Sequence, residues 1–406
     1  MTKKKEIKNF IYLLVVIDAL LFITNYRGQL RSYNSTLLAL SYEYGFTSRS
    51  LLGTLYHLVD FILPVDMMSY EAARAFALIF TLGFFAFLIF FSYKMLLKVD
   101  ESCIKPAEYL LLFLSIGAVT TFSFSYNFFR VDIFMMWVSL IATLLLMNEK
   151  TVWMAIPLSA IGVMFHQGFV LMYFNIILVI LFYQAMNSKL KKIKTFIIFL
   201  ISFVLGSGLF LWFELFSRTN GDSIFDKVEA EAKALSFNEV YHTTLLYHEV
   251  LGVDVSGSET LFYKMNHVQL FLFVICCAPI IFVLARFFIN LIKGGEGVFA
   301  KLKYIAAAVG SLTILPDLIA KVDYGRWMLA VATYYIVIIL AMCALGDEIV
   351  QTELESLYKK ARENPWMLVI VLTPILLVPF MDVDIDKLVQ AWQKWFQANK
   401  ILFYTK

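Results

Sequence analysis

Long apolar runs separated by short polar breaks fill the chain from end to end. A helix rises about 1.5 Å per residue, so runs near 20 residues match the hydrocarbon thickness of a bilayer. The pattern predicts spans at roughly 8–25, 72–97, 107–125, 131–148, 152–166, 168–187, 195–216, 267–291, 303–319, 326–346 and 366–381, about eleven in all. Hydrocarbon offers the backbone no hydrogen bonds, so the expected fold class is all-α. Residues 1–406 are expected to form a single transmembrane domain, a polytopic helical bundle.

Three stretches depart from this pattern. In residues 26–71, Leu37, Leu38, Leu40, Leu51, Leu52 and Leu55 are interleaved with Arg27, Arg31, Glu43, Arg49, His57 and Asp60. That is too polar to span and too apolar to hang free. It reads as one or two amphipathic helices, lying in the interface or re-entering the bundle. Tyr44–Arg49 divides them, with Ser48 expected as N-cap of the second. Residues 217–266 read as an external cap loop, helical over Asp226 to Leu235. Residues 382–406 place Leu388, Trp392, Trp395 and Phe396 at helical spacing and read as a C-terminal interfacial helix.

Composition strengthens the membrane assignment: 61% of residues are hydrophobic and only 16% charged, against about a quarter charged in soluble domains. A net charge of +3 is too small to indicate a nucleic-acid partner. Cys103, Cys276, Cys277 and Cys343 lack metal-site spacing, so neither zinc nor a structural disulfide is expected. Met1-Thr2-Lys3-Lys4-Lys5 precedes an apolar run with no small-x-small cleavage site, which reads as an uncleaved first span.

Lysine and arginine set the orientation. With the N-terminus inside, the basic clusters at Lys3–Lys8, Lys94–Lys105, Lys189–Lys194, Arg286–Lys303 and Lys359–Arg362 all fall on the inner side. Short external loops then hold only Arg130, Lys321 and Arg326. The unusual polar residues gather on the external face. Asp317, Lys321, Asp323 and Arg326 share one turn between two spans, with Trp327 at belt depth. Asp323 and Arg326 are three apart and pair if that turn is helical. Arg130 and Asp132 are two apart, so each needs a partner elsewhere. His166 closes a tight turn at His166-Gln167-Gly168.

These residues outline an anion site. Arg49, Arg130 and Arg326 stand at the external ends of different helices, and arginine grips phosphate with bidentate geometry. They are the candidate diphosphate ligands. Asp323, His166 and Asp132 are candidate catalytic bases, with Glu43, Asp317 and Arg27 as secondary candidates. The three loop histidines His242, His248 and His267 lack ligand spacing, and no metal or other cofactor is called for.

The stretch Tyr44-Gly45-Phe46-Thr47-Ser48-Arg49-Ser50-Leu51-Leu52-Gly53, with Asp323-Tyr324-Gly325-Arg326-Trp327 far behind it, resembles multi-span proteins of bacterial surface-polysaccharide assembly. The resemblance is to Wzy-type O-antigen and capsule polymerases and EpsG-like proteins. It implies a GT-C-like or ligase-like helical architecture and a glycosyltransferase at the outer face of the bacterial inner membrane. The implied donor and acceptor are undecaprenyl-diphosphate-linked oligosaccharides, with the lipid bilayer and a chain-length regulator protein as further partners and no nucleic acid. Such polymerases carry arginine-rich large external loops; here residues 217–266 hold only Arg218. Another lipid-linked sugar transferase and a lipid-linked glycan flippase share the topology.

Overall fold

The computed structural model describes residues 3–63, 66–124, 127–187, 192–216, 222–251, 267–316, 324–367 and 369. Its helices, in chain order, are α1 (Lys3–Asn25), α2 (Ser32–Ala39), α3 (Ser50–Ile62), α4 (Tyr70–Lys98), α5 (Ile104–Ser123), α6 (Asp132–Leu146), α7 (Ala155–Phe165), α8 (Phe169–Met172), α9 (Phe174–Asn187), α10 (Lys192–Phe216), α11 (Asp222–Ala234), α12 (Thr243–Leu246), α13 (His267–Gly294), α14 (Gly297–Val309), α15 (Tyr324–Ala344) and α16 (Glu348–Glu363). Short 3₁₀ turns join several of them, and Tyr247–Leu251 forms a π-helical turn.

The architecture is all-helical and that of a polytopic membrane protein. Seven described helices are long and apolar enough to cross a bilayer: α1, α4, α5 with its leading 3₁₀ turn, α10, α13, α14 with its trailing 3₁₀ turn, and α15. They coincide with seven of the expected spans. Three more expected spans are shorter apolar helices, at α6, α7 and α9. The last expected span and the C-terminal interfacial helix lie outside the described residues, save positions 366, 367 and 369.

One expected span, 168–187, is broken. Tyr173 leaves helical geometry between α8 and α9. Such breaks survive where neighbours satisfy the freed backbone. Here Thr313 Oγ1 donates to the Leu171 carbonyl at 2.9 Å, and in the other direction Asn175 Nδ2 donates to the Gly310 carbonyl at 2.9 Å, tying the start of α9 to the turn after α14.

Helix ends sort into two opposite layers. At one end, Lys3 Nζ donates to the Val99 carbonyl, Lys105 pairs with Glu6, Gln351 donates to Asp100, and Lys303 reaches Asn187 and Asp347. These are the segments assigned to the inside from their basic residues. The other end collects residues 26–49, 127–132, 165–168, 222–251 and the start of α15. Two further residues are settled by burial. Asp18, buried in α1, accepts from Ser115 Oγ of α5 at 2.7 and 2.9 Å, which ties two spans together. Trp327 is buried within the bundle, not held in a lipid-facing belt, because α15 is enclosed by other helices there.

Candidate arginine site at one end of the bundle

α2 is the hub of the arginine end. Three consecutive small polar residues on this short buried helix fasten three distant segments. Asn34 Nδ2 donates to the Phe128 carbonyl at 2.6 Å. Ser35 Oγ shares a 2.7 Å hydrogen bond with Ser236 Oγ. Thr36 Oγ1 accepts from the His242 backbone N–H at 2.9 Å. α3 is pressed against the end of α2: a Cβ at Gly53 would collide with the Leu40 carbonyl, so only glycine permits the approach. That contact fixes Arg49 at the N-terminus of α3.

Ser48 does not cap α3. The helix starts at Ser50, one residue later than expected, so its N-cap is Arg49, which makes no side-chain cap. The Ser48 hydroxyl donates instead to Gln167 Oε1 and ties this turn to the α7–α8 turn. On the neighbouring turn Phe129 is held at φ 60°, a left-handed conformation unusual for a bulky residue, directly before Arg130.

Two ion pairs and a stacked guanidinium form the site. Arg326 Nη1 lies 2.7 Å from Asp132 Oδ2, whose side chain is 1% exposed. Arg49 Nη1 lies 2.7 Å from Glu249 Oε1, whose side chain is 5% exposed. The Arg130 guanidinium sits 4.9 Å from the centroid of the Tyr33 ring, and Nη1 donates at 3.5 Å to Asn127 Oδ1. His242 meets the same Tyr33 ring edge-on at 5.3 Å.

The groups feel one another. Arg49 lies within Coulombic reach of Arg326 and Tyr33, and His242 within reach of both Arg130 and Arg49. Tyr173, at the broken span, feels Asp132 and Arg326. Burial, reinforced by Arg130 and Arg49, pushes His242 below the ordinary imidazole value. Burial pulls the Glu249 carboxyl upward, but Arg49 and a hydrogen bond from His248 outweigh it and hold the carboxyl below the usual range. Burial opposes the Arg49 charge, and Glu249 more than restores it. Among the described residues, Arg49 Nε, Asp132 Oδ1 and the Tyr173 hydroxyl are buried with no hydrogen-bond partner.

The sequence-selected residues thus divide. Arg49, Arg130, Arg326 and Asp132 come together. His166 stands at the α7 end, where its Nδ1 accepts the Gly168 N–H at 2.8 Å as a turn cap. Glu43 is exposed and lies 3.9 Å from His57 Nδ1. Arg27 is exposed. Asp317 and Asp323 lie outside the described residues, so the expected Asp323–Arg326 pair lies there too. Glu249, His242, His248 and Tyr33 escaped selection. Their one signal is Thr243 to Leu251, where His248-Glu249 is flanked by Leu245, Leu246, Val250 and Leu251. Acids set in apolar sequence need a buried partner. Among the described residues, no three His, Cys, Asp or Glu side chains gather as a metal site.

An apolar cavity of about 200 Å³ lies beside the same helix. From α15 it is lined by Met328, Val331, Ala332, Tyr335, Ile336 and Ile339, one helical face that begins two residues past Arg326. α5, α13 and α16 supply its other walls. No protein-family model matches the chain, and no curated protein or solved structure does.

Proposed function

We propose that the chain is a glycosyltransferase of bacterial surface-polysaccharide assembly, a polymerase acting on undecaprenyl-diphosphate-linked glycans at the external face of the inner membrane. The observation that carries this reading is the convergence of Arg49, Arg130 and Arg326 from three distant segments at one end of the bundle. Among the described residues the three guanidinium groups meet two carboxylates at ion-pair distance, with Glu214 a third carboxylate in Coulombic reach of Arg49. A lipid-linked diphosphate diester carries two negative charges and presents them at a helix-end depth.

The chemistry follows from charge. A sugar hydroxyl of the acceptor attacks the anomeric carbon of the donor. The bond to the diphosphate breaks, and negative charge builds on the leaving oxygen. Preorganised guanidinium groups in a partly dry site stabilise that charge more in the transition state than in the ground state. The GT-C-like or ligase-like architecture, the O-antigen or capsule setting and a chain-length regulator as partner belong to this proposal.

The test is direct. Purified protein is given undecaprenyl-diphosphate-linked oligosaccharide as both donor and acceptor, in EDTA. The expected product is a longer lipid-linked glycan with release of undecaprenyl diphosphate. Extension only after Mg²⁺ or Mn²⁺ is added would favour another lipid-linked sugar transferase. Movement of the lipid-linked glycan across vesicles without chain growth would favour a flippase.

A further inference from the structure

We infer that the Tyr173 hydroxyl and Asp132 Oδ1 read the sugar that the diphosphate carries: Tyr173 donates to one of its oxygens and Asp132 accepts from one of its hydroxyls, while the arginines keep the phosphates. This deepens the transferase reading above and rests on it.

Tyr173 stands at the junction of α8 and α9, where the chain leaves helical geometry at φ −129° and ψ −19°. α8 packs against α15 and α9 against α6, so the junction lies between the helices that carry Arg326 and Asp132. Tyr173 is 0% exposed and Asp132 is 1% exposed. The Tyr173 ring lies within Coulombic reach of both Asp132 and Arg326. The backbone beside the break is answered from within the protein, since Thr313 Oγ1 holds the Leu171 carbonyl. The tyrosine hydroxyl is not answered, and neither is Asp132 Oδ1: among the described residues both are buried without a hydrogen-bond partner. Buried tyrosine hydroxyls ordinarily find a partner, and a buried polar group left unsatisfied costs more than a typical hydrogen bond contributes.

The two atoms define what would satisfy them. Asp132 Oδ2 pairs with Arg326 Nη1 at 2.7 Å, and a carboxylate so paired only accepts hydrogen bonds. Oδ1 therefore needs a donor. The phosphates of a lipid-linked glycan are diesters with acceptor oxygens alone, and they carry the same sign of charge as Asp132. A sugar hydroxyl is neutral and both donates and accepts, so the sugar can serve Oδ1 and Tyr173 together. The Arg326 side chain is 13% exposed where that of Asp132 is 1% exposed, which puts the guanidinium on the accessible side of the pair. A sugar seated on Asp132 and Tyr173 leaves its phosphate beside that guanidinium. A site built to bond a hydroxyl rejects the analogue that lacks it, because its own buried groups then stay unpaired. Undecaprenyl diphosphate, the product, has lost the sugar, so the contact that holds the substrate does not hold the product.

The experiment measures the affinity of full-length protein for undecaprenyl-diphosphate-linked oligosaccharide and for undecaprenyl diphosphate. It compares wild type, Tyr173→Phe, Asp132→Asn, the double variant of these two, and Arg326→Lys. Tyr173→Phe should weaken binding of the glycan-linked lipid about three- to tenfold, the share of one hydrogen bond, and leave the bare lipid unchanged. Its ligand-free melting temperature should hold or rise, since the hydroxyl it loses is unpartnered. Arg326→Lys should weaken both lipids. In the Asp132→Asn background the loss caused by Tyr173→Phe should shrink, because the two groups seat one sugar. Equal weakening of both lipids by Tyr173→Phe overturns the inference, as does unchanged affinity for the glycan-linked lipid. A fall in its ligand-free melting temperature also overturns it, by showing that the hydroxyl is bonded within the protein. An undiminished loss in the Asp132→Asn background removes Asp132 from the sugar contact. A wild type that binds neither lipid overturns the transferase reading, and the inference falls with it. A wild type that binds both and extends no glycan overturns the transferase reading alone, since affinity is read without turnover.

Discussion

Each end of the bundle buries an ion pair, and the two pairs are built differently. At the lysine end Lys303 Nζ meets Asp347 Oδ2 at 2.7 Å and Asn187 Oδ1 at 2.8 Å, with the Tyr183 and Tyr304 rings 4.7 and 4.6 Å away. Asp347 also accepts from both tyrosine hydroxyls and from the N–H groups of Ile349 and Val350, which caps α16. Every oxygen there has partners within the protein. At the arginine end Asp132 Oδ1 and Arg49 Nε have none among the described residues. A saturated network fixes one arrangement of helices, whereas an under-satisfied one keeps hydrogen-bonding capacity for something else. On the proposed function the first is a clamp and the second a site, although both are buried charge.

The largest effect should come from breaking the clamp. Lys303→Met strands Asp347 in a buried position, and breaking such a pair costs about 3–5 kcal/mol. A thermal melt of the purified protein should drop sharply, and Lys303→Met with Asp347→Asn should recover part of the loss. At the arginine end Arg326→Lys keeps the charge but loses the bidentate fork. A charge-assisted hydrogen bond contributes about 1.5–3 kcal/mol, so glycan extension should slow about ten- to a hundredfold while membrane abundance stays normal. Arg49→Lys and Arg130→Lys should behave alike. Equal losses of stability at both ends would erase the distinction.

Acid should separate the ends more gently. His242 is held below its ordinary value, so its folded state binds protons less readily than the unfolded chain. Its contribution is present above about pH 6.5 and is lost as pH falls from there. Asp347 is drawn up by burial but carried below the usual carboxylate range by Lys303 and its tyrosine bonds, so its contribution persists until about pH 4 and then fades. Hydrogen exchange should show residues 242–251 loosening near pH 6 while the α14–α16 junction stays protected.

Much of this was legible in the sequence, because bilayer thickness imposes a length on apolar runs that few other forces imitate. The arginines were legible for the same reason: a charge at a span end needs company. Their partners were not. Arg326 meets Asp132 from 194 positions away, a pairing that no local spacing encodes. Glu249 looked like one more acid in a charged loop, and only the packing of α2 against that loop buries it. Asn34, Ser35 and Thr36 read as ordinary polar residues, since their role depends on three segments that fold onto them. The break at Tyr173 was hidden because Thr313, from a distant part of the chain, donates to the Leu171 carbonyl beside it.

The central claim is that the Arg326–Asp132 pair belongs to an anion site and is not a second clamp. The direct measurement is polymer chain length in cells carrying Arg326→Met with Asp132→Asn, beside the membrane abundance of that double variant. Removing both charges relieves the burial cost of either alone, so abundance should recover relative to Arg326→Met. Polymer should stay absent or very short at that restored abundance. Polymer of normal length would make the pair a structural clamp like Lys303–Asp347 and would contradict the account.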